Sequence, residues 1–265
     1  MTIKALLGGA VLGFSLMLGL AGTAIAEGDA TAAKHPETQA WASDGVFGKF
    51  DRQQLQRGYQ VYKEVCSACH GKHLVAFRNL SQPGGPGFSV AQVKALAAGF
   101  KFPTIDDKGE PAERAGTPAD HFPSPYPNEV AARAANNNAL PPDLSVIVKA
   151  RHGGPDYLYS LLTGYTDAPA SFSLLPGLNY NPYFEGHQLS MPAPLTSDGQ
   201  VTWPEGNPAA TKQQMAKDVA AFLIWAAEPK MEERKELGVQ VMIFLTALAV
   251  LLFFAYKRVW RDVEH

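Results

Sequence analysis

The stretch Cys66-Ser67-Ala68-Cys69-His70 constrains this chain more than any other. Two thiols one helical turn apart, followed at once by an imidazole, have the spacing at which two thioether bonds attach a haem, with the histidine beneath the iron. Other chemistries also use paired cysteines. A structural zinc site needs about four ligands, and the 265-residue chain has only 2 cysteines. A redox dithiol sits at the start of a helix after a strand. Here Leu55, Tyr59, Tyr62 and Cys66 recur at i, i+4, i+7 and i+11, so the first thiol closes a helical stripe. The pattern points to one covalently attached haem c per chain.

Both ends of the chain carry membrane-related segments. Residues 1–26 read as a cleaved secretory signal: Lys4, an apolar run from Ala5 to Leu20, then Ala24-Ile25-Ala26 as the cleavage site. An uncleaved anchor is the alternative. Leu237 to Tyr256 carries no charge and at 1.5 Å per residue is about 30 Å long, the thickness of a bilayer core. Tyr256 and Trp260 sit at the interfacial position, followed by Lys257, Arg258 and Arg261. Basic residues are balanced on the two sides of this span, so the signal sets the orientation. Residues 27–236 are then exported to the periplasm, 237–256 form a transmembrane helix, and 257–265 a cytoplasmic tail, as in a single-pass protein of a bacterial inner membrane.

Charge narrows the partners. Of 23 basic and 25 acidic residues, Lys4, Lys257, Arg258, Arg261, Asp262 and Glu264 lie outside the exported part, leaving 19 against 23. A net charge of −4 argues against nucleic acid and permits a basic protein partner. With both cysteines committed to haem, no disulfide is available.

Along the exported part, residues 27–48 read as an extended arm. Asp51-Arg52-Gln53-Gln54 and Ser89-Val90-Ala91-Gln92 read as capping boxes that open helices. Residues 101–127, with six prolines, read as a long surface loop. Asn128 is expected to cap a helix through Arg133, Asp143 a helix reaching Arg151, and Pro155 to start one that Gly164 stops. Residues 165–208 read as loop, and Thr211 to Ala227 as the last exported helix. Gly58 is placed to let that helix cross the first one closely. No strong strand alternation stands out, so the fold class is mainly α.

A haem iron on one histidine needs its sixth position settled: a thioether raises the potential and shuts out substrate, whereas an open site permits peroxide or gas chemistry. Of the six methionines, Met1 and Met17 leave with the signal, Met242 lies in the membrane span, Met231 abuts it, and Met215 lies on a core face. Met191, in a proline-stiffened loop, remains as the axial candidate beside His70. His187 is a rival, and His73, His121 and His152 are weaker ones. Haem propionates need donors. Arg151 and Tyr157 are placed to supply them, although Arg151 equally suits a helix C-terminus.

At this level of detail the chain resembles the cytochrome c1 family. The resemblance rests on Gly58-Tyr59-Gln60-Val61-Tyr62 before the haem motif, on Arg133-Ala134-Ala135-Asn136-Asn137, and on Leu140-Pro141-Pro142-Asp143-Leu144-Ser145. It continues through Arg151-His152-Gly153-Gly154-Pro155-Asp156-Tyr157, Asn181-Pro182-Tyr183-Phe184 with Met191, and Trp225-Ala226-Ala227-Glu228-Pro229. It implies a class I c-type cytochrome fold with long loops and one C-terminal membrane helix. It also implies Cys66 and Cys69 as thioether attachments, His70 and Met191 as axial ligands, Arg151 and Tyr157 near a propionate, and Asn136 and Pro142 in the pocket. Asn138 stands where the family often has glycine.

The same resemblance implies a subunit that is non-catalytic alone, within a quinol–cytochrome c oxidoreductase. It would take an electron from the Rieske iron–sulfur protein and pass it to a c-type cytochrome, beside cytochrome b in a dimeric complex. The alternatives are a membrane-anchored shuttle or oxidase subunit outside such a complex, and a peroxidase-like haem enzyme.

Overall fold

A computed structural model describes residues 32–263. The expected signal segment lies outside them. Helix α1 (Arg52–Glu64) begins where the Asp51 carboxylate accepts from the amides of Gln53 and Gln54 at 2.9 and 3.1 Å. The reciprocal half of the expected capping box is not made, because Gln54 Nε2 donates to Asp218 at 3.0 Å instead. The complete box does form at α2 (Val90–Ala98), between Ser89 and Gln92.

Helix α3 (Glu129–Ala135) starts at Asn128, α4 (Gly154–Thr163) has its proline in the first turn, and α5 (Lys212–Ala227) is capped by Thr211. The core forms where α1 crosses α5, with α4 packed on α5. A Cβ on Gly58 would lie 2.0 Å from the Asp218 carbonyl oxygen, so the two backbones touch at the position the sequence reserved for glycine. Tyr59, Tyr62, Phe77, Phe122, Phe222 and Trp225 fill the space around that crossing.

Three further expectations need correction. Residues 101–127 are not a plain loop: β2 (Lys101–Ile105) pairs antiparallel with β3 (Pro111–Ala115). The turn is built by the Asp106 carboxylate, which accepts from the amides of Lys108 and Glu110 at 2.8 and 2.9 Å, and by Gly109 at φ +84°. Only Phe102, Thr104 and Ala112 gain partial cover, which is why no apolar alternation announced the hairpin.

Second, residues 143–151 form successive turns and no regular helix. Asp143 accepts from Ser145 N at 2.8 Å, but its other oxygen takes His73 N at 2.9 Å and faces His73 Nδ1 at 2.7 Å. Its capping capacity is spent on β1 (Lys72–Ala76), which pairs with β4 (His121–Phe122). Two further short strands, β5 (Asn179–Tyr180) and β6 (Gln188–Leu189), pair inside the expected 165–208 loop.

After the Glu228-Pro229-Lys230 break, α6 (Met231–Val259) runs 29 residues without interruption. At 1.5 Å per residue that is about 43 Å, long enough for a bilayer core. None of its apolar window is buried against the rest of the chain.

Candidate haem site

Helix α1 delivers the motif. Its stripe buries Leu55, Tyr59 and Tyr62, and the chain then tightens into a 3₁₀ turn over Cys66–Ala68. His70 N donates back to Cys66 O at 2.9 Å, and Tyr62 Oη donates to His70 O at 3.3 Å. Both thiols are free. Burial pushes the Cys66 thiol up to about 12, with Lys72 pulling the other way.

The His70 ring is oriented by a backbone carbonyl. Its Nδ1–H donates to Pro142 O at 2.8 Å, so the neutral ring keeps its lone pair on Nε2, the atom a metal takes. Burial lowers the His70 pKa, outweighing the Pro142 carbonyl and Asp143, and favours that neutral form. Leu144 N donates to Gly71 O at 2.9 Å, so the Pro142 segment is laced to the motif along its length.

A second lacing reaches toward Met191. Asn137 and Asn138 sit at φ 50° and 61°, left-handed geometry that asparagine tolerates, so the expected departure from glycine at 138 leaves the turn intact. Asn137 Nδ2 donates to Gly177 O at 3.2 Å, and Leu175 N donates to Gln188 Oε1 at 3.1 Å beside β6. Two residues past β6, Met191 has its carbonyl held by Tyr165 Oη at 3.1 Å. Tyr165 in turn lies near Tyr157, and Tyr157 near Arg151. The fully buried Asn181 ties this region to α4 through Leu161 O at 2.8 Å.

The remaining candidates are placed as follows. Asn136 spends its amide on Tyr126 Oη at 3.0 Å and Ala132 O at 2.7 Å, closing α3. Arg151 is exposed and donates to Ala150 O at 2.9 Å; among the described residues it makes no ion pair. His187 is buried between Phe172 and Tyr180 with Nδ1 unpartnered. His73 is engaged by Asp143, and His121 by the His73 carbonyl. His152 is exposed.

Sequence reasoning missed Lys72. This lysine is fully buried, its amine 3.7, 4.1 and 4.6 Å from the ring centres of Phe222, Tyr62 and Phe122, and burial lowers its pKa well below the usual lysine value. A lysine two residues after the motif looks like surface. No local signal marks it.

The donor set fits covalent haem: two unpaired thiols at the attachment spacing, an imidazole with Nε2 free, and a thioether on a braced loop. Among the described residues no cluster of three His, Cys, Asp or Glu side chains is placed to hold a metal ion. Fold and site together define a c-type cytochrome carried on one apolar C-terminal helix.

Comparison with known proteins narrows this further. The Cytochrome C1 family model matches residues 41–263. Cytochrome c1 of Rhodospirillum rubrum is 48% identical over 244 residues, covering 86% of this chain and 88% of that protein. The mitochondrial cytochrome c1 haem protein of Saccharomyces cerevisiae is 48% identical over 232 residues, 87% of this chain and 74% of the relative. Cytochrome b/c1 of Bradyrhizobium diazoefficiens is 50% identical over 247 residues; the match covers 86% of this chain but only 36% of that longer protein. The chain belongs to the cytochrome c1 family, whose members carry covalently bound haem c.

Proposed function

We propose that this chain is the haem c electron-transfer subunit of a quinol–cytochrome c oxidoreductase, the cytochrome bc1 complex. In this reading it takes an electron from the Rieske iron–sulfur protein and hands it to a c-type cytochrome. Cytochrome b lies beside its membrane helix, and the complex is a dimer. The exported domain (27–236) faces the periplasm, residues 237–256 cross the membrane, and 257–265 stay in the cytoplasm. Family membership supports the complex, and the unburied apolar face of α6 supports a protein or lipid neighbour in the membrane.

Haem c supplies a one-electron iron couple whose potential depends on its axial ligands and surroundings. Cys66 and Cys69 would hold it by thioether bonds, and His70 and Met191 would supply the imidazole and thioether that ligate its iron. Pro142 sets the tautomer of His70 through its carbonyl. Tyr165 fixes the backbone that carries Met191. Arg151 and Tyr157 serve the propionates; the exposed guanidinium, with no carboxylate of its own among the described residues, suits an anion from outside the chain. Asn136 shapes the pocket from the end of α3. In this reading the subunit relays electrons between its partners and is non-catalytic alone.

The carrying observation is the His70–Pro142 hydrogen bond, which prepares Nε2 as a metal ligand on a motif with two free thiols. The test is carbon monoxide binding to reduced membranes. The native protein should bind none, and Met191→Leu should bind it and lose reduction potential. Carbon monoxide uptake by the native, undamaged protein would overturn the relay.

A further inference from the structure

Residues 43–48 form a closed knuckle beside the start of the membrane helix. Its base is pinned by Asp44 N to Trp41 O at 3.0 Å and Trp41 N to the Asp44 carboxylate at 3.2 Å. Trp41 itself is buried, and its indole donates to Asp156 on α4 at 2.7 Å. Gly45 at φ +71° makes the turn, and a Cβ on Gly48 would fall 2.0 Å from Asp44 O, so the loop is too tight for another residue there. This geometry pushes two adjacent apolar side chains outward: Val46 is 63% exposed and Phe47 82%.

The knuckle is fastened to α6. Lys235 Nζ donates to Ser43 O at 2.6 Å and Gly48 O at 3.2 Å, and Glu232 accepts from Phe50 N at 2.7 Å. Lys235 stands two residues before the uncharged run that begins at Leu237, a rise of about 3 Å. The loop tip is therefore held at the level where the helix enters lipid.

We propose that this knuckle is a second membrane contact, with Val46 and Phe47 seated at the boundary between lipid headgroups and acyl chains. The exposed Lys49 beside them suits headgroup phosphates. Lys235 holds the pair two residues before the uncharged run of α6, whose apolar window nothing else in the chain covers, and that adjacency names the bilayer as its occupant. Two attachments, one spanning and one interfacial, would fix the tilt of the exported domain over the membrane.

The proposal rests on α6 spanning the bilayer, and the experiment separates the two. Spin labels are placed at Phe47→Cys, Val46→Cys, Leu252→Cys and Asp107→Cys in the full-length, haem-loaded chain in phosphatidylcholine–phosphatidylglycerol nanodiscs. Collision with oxygen, which concentrates in lipid, is compared with collision with the water-soluble nickel ethylenediaminediacetate. Labels at 46 and 47 should show an oxygen-to-nickel ratio about threefold or more above that at the acidic turn residue 107, and below that at 252, as expected of interfacial depth. A ratio at 46 and 47 equal to that at 107, with 252 immersed, overturns the knuckle and leaves the span intact. Shielding from both probes also overturns it, because a protein surface then covers the pair. Aqueous behaviour at 252 overturns the span and the proposal with it.

Discussion

A Cβ atom on Gly58 would lie 2.0 Å from the carbonyl oxygen of Asp218 and 2.7 Å from Phe222 Cβ. Backbone and packed core cannot yield by that much. Gly58→Ala should destabilise the exported domain by about 3 kcal/mol or more, at or beyond the usual cost of overpacking. Urea unfolding of the haem-loaded protein measures it, and a loss under 1 kcal/mol would mean that α1 and α5 can slide apart.

Asp218 also holds the crossing together electrostatically. Arg57 Nε lies 2.7 Å from its carboxylate with both side chains buried, and Gln54 and Gln214 donate at 3.0 and 2.8 Å. Breaking one half strands the other charge. Arg57→Met or Asp218→Asn should each cost about 3–5 kcal/mol, and the double variant clearly less than the sum. A double-mutant cycle in urea gives the coupling; strict additivity would show that the two groups act independently.

Tyr59 is buried with no partner for its hydroxyl, and burial pushes the phenol from 10.0 up to about 12. A folded-state value above the unfolded one leaves stability whole below pH 10 and removes it as pH rises through the folded value. Tyr59→Phe should escape this loss. Its stability relative to the native chain should rise by about 1 kcal/mol between pH 9 and pH 11. A pH-independent difference in unfolding free energy would place that hydroxyl in contact with water.

Lys72 sets a cation–ring attraction against the cost of burying an amine with no hydrogen-bond partner. Buried ionic groups are often replaced by apolar ones of similar size without loss. Lys72→Met should therefore raise stability at neutral pH by about 1–2 kcal/mol, read as a higher Tm. A fall in Tm would show that the three rings more than offset the desolvation.

The helices were legible because their signals are local. Asp51, Ser89, Asn128 and Thr211 each cap the helix that follows them, and Pro155 and Gly164 bracket α4. Asp143 shows where local reading stops. The same carboxylate that could have capped a helix meets His73, 70 residues away, and the segment settles into turns. The hairpin at 101–115 escaped for a related reason: one face is exposed and the other only partly covered, so burial asked for no strongly apolar alternation in the sequence.

Cys66-Ser67-Ala68-Cys69-His70, the apolar run of α6 and the blocks shared with cytochrome c1 are contiguous in sequence. Covalent chemistry, helix length and family membership are therefore written in the chain itself. Which nitrogen of His70 stays free, what steadies Met191, why a lysine is swallowed whole beside the motif, and where Phe47 emerges depend on Pro142, Tyr165, Phe222 and Lys235. Each of those neighbours lies 26 or more residues away along the backbone. Only folding brings them within hydrogen-bonding or van der Waals reach, where forces of such short range begin to act.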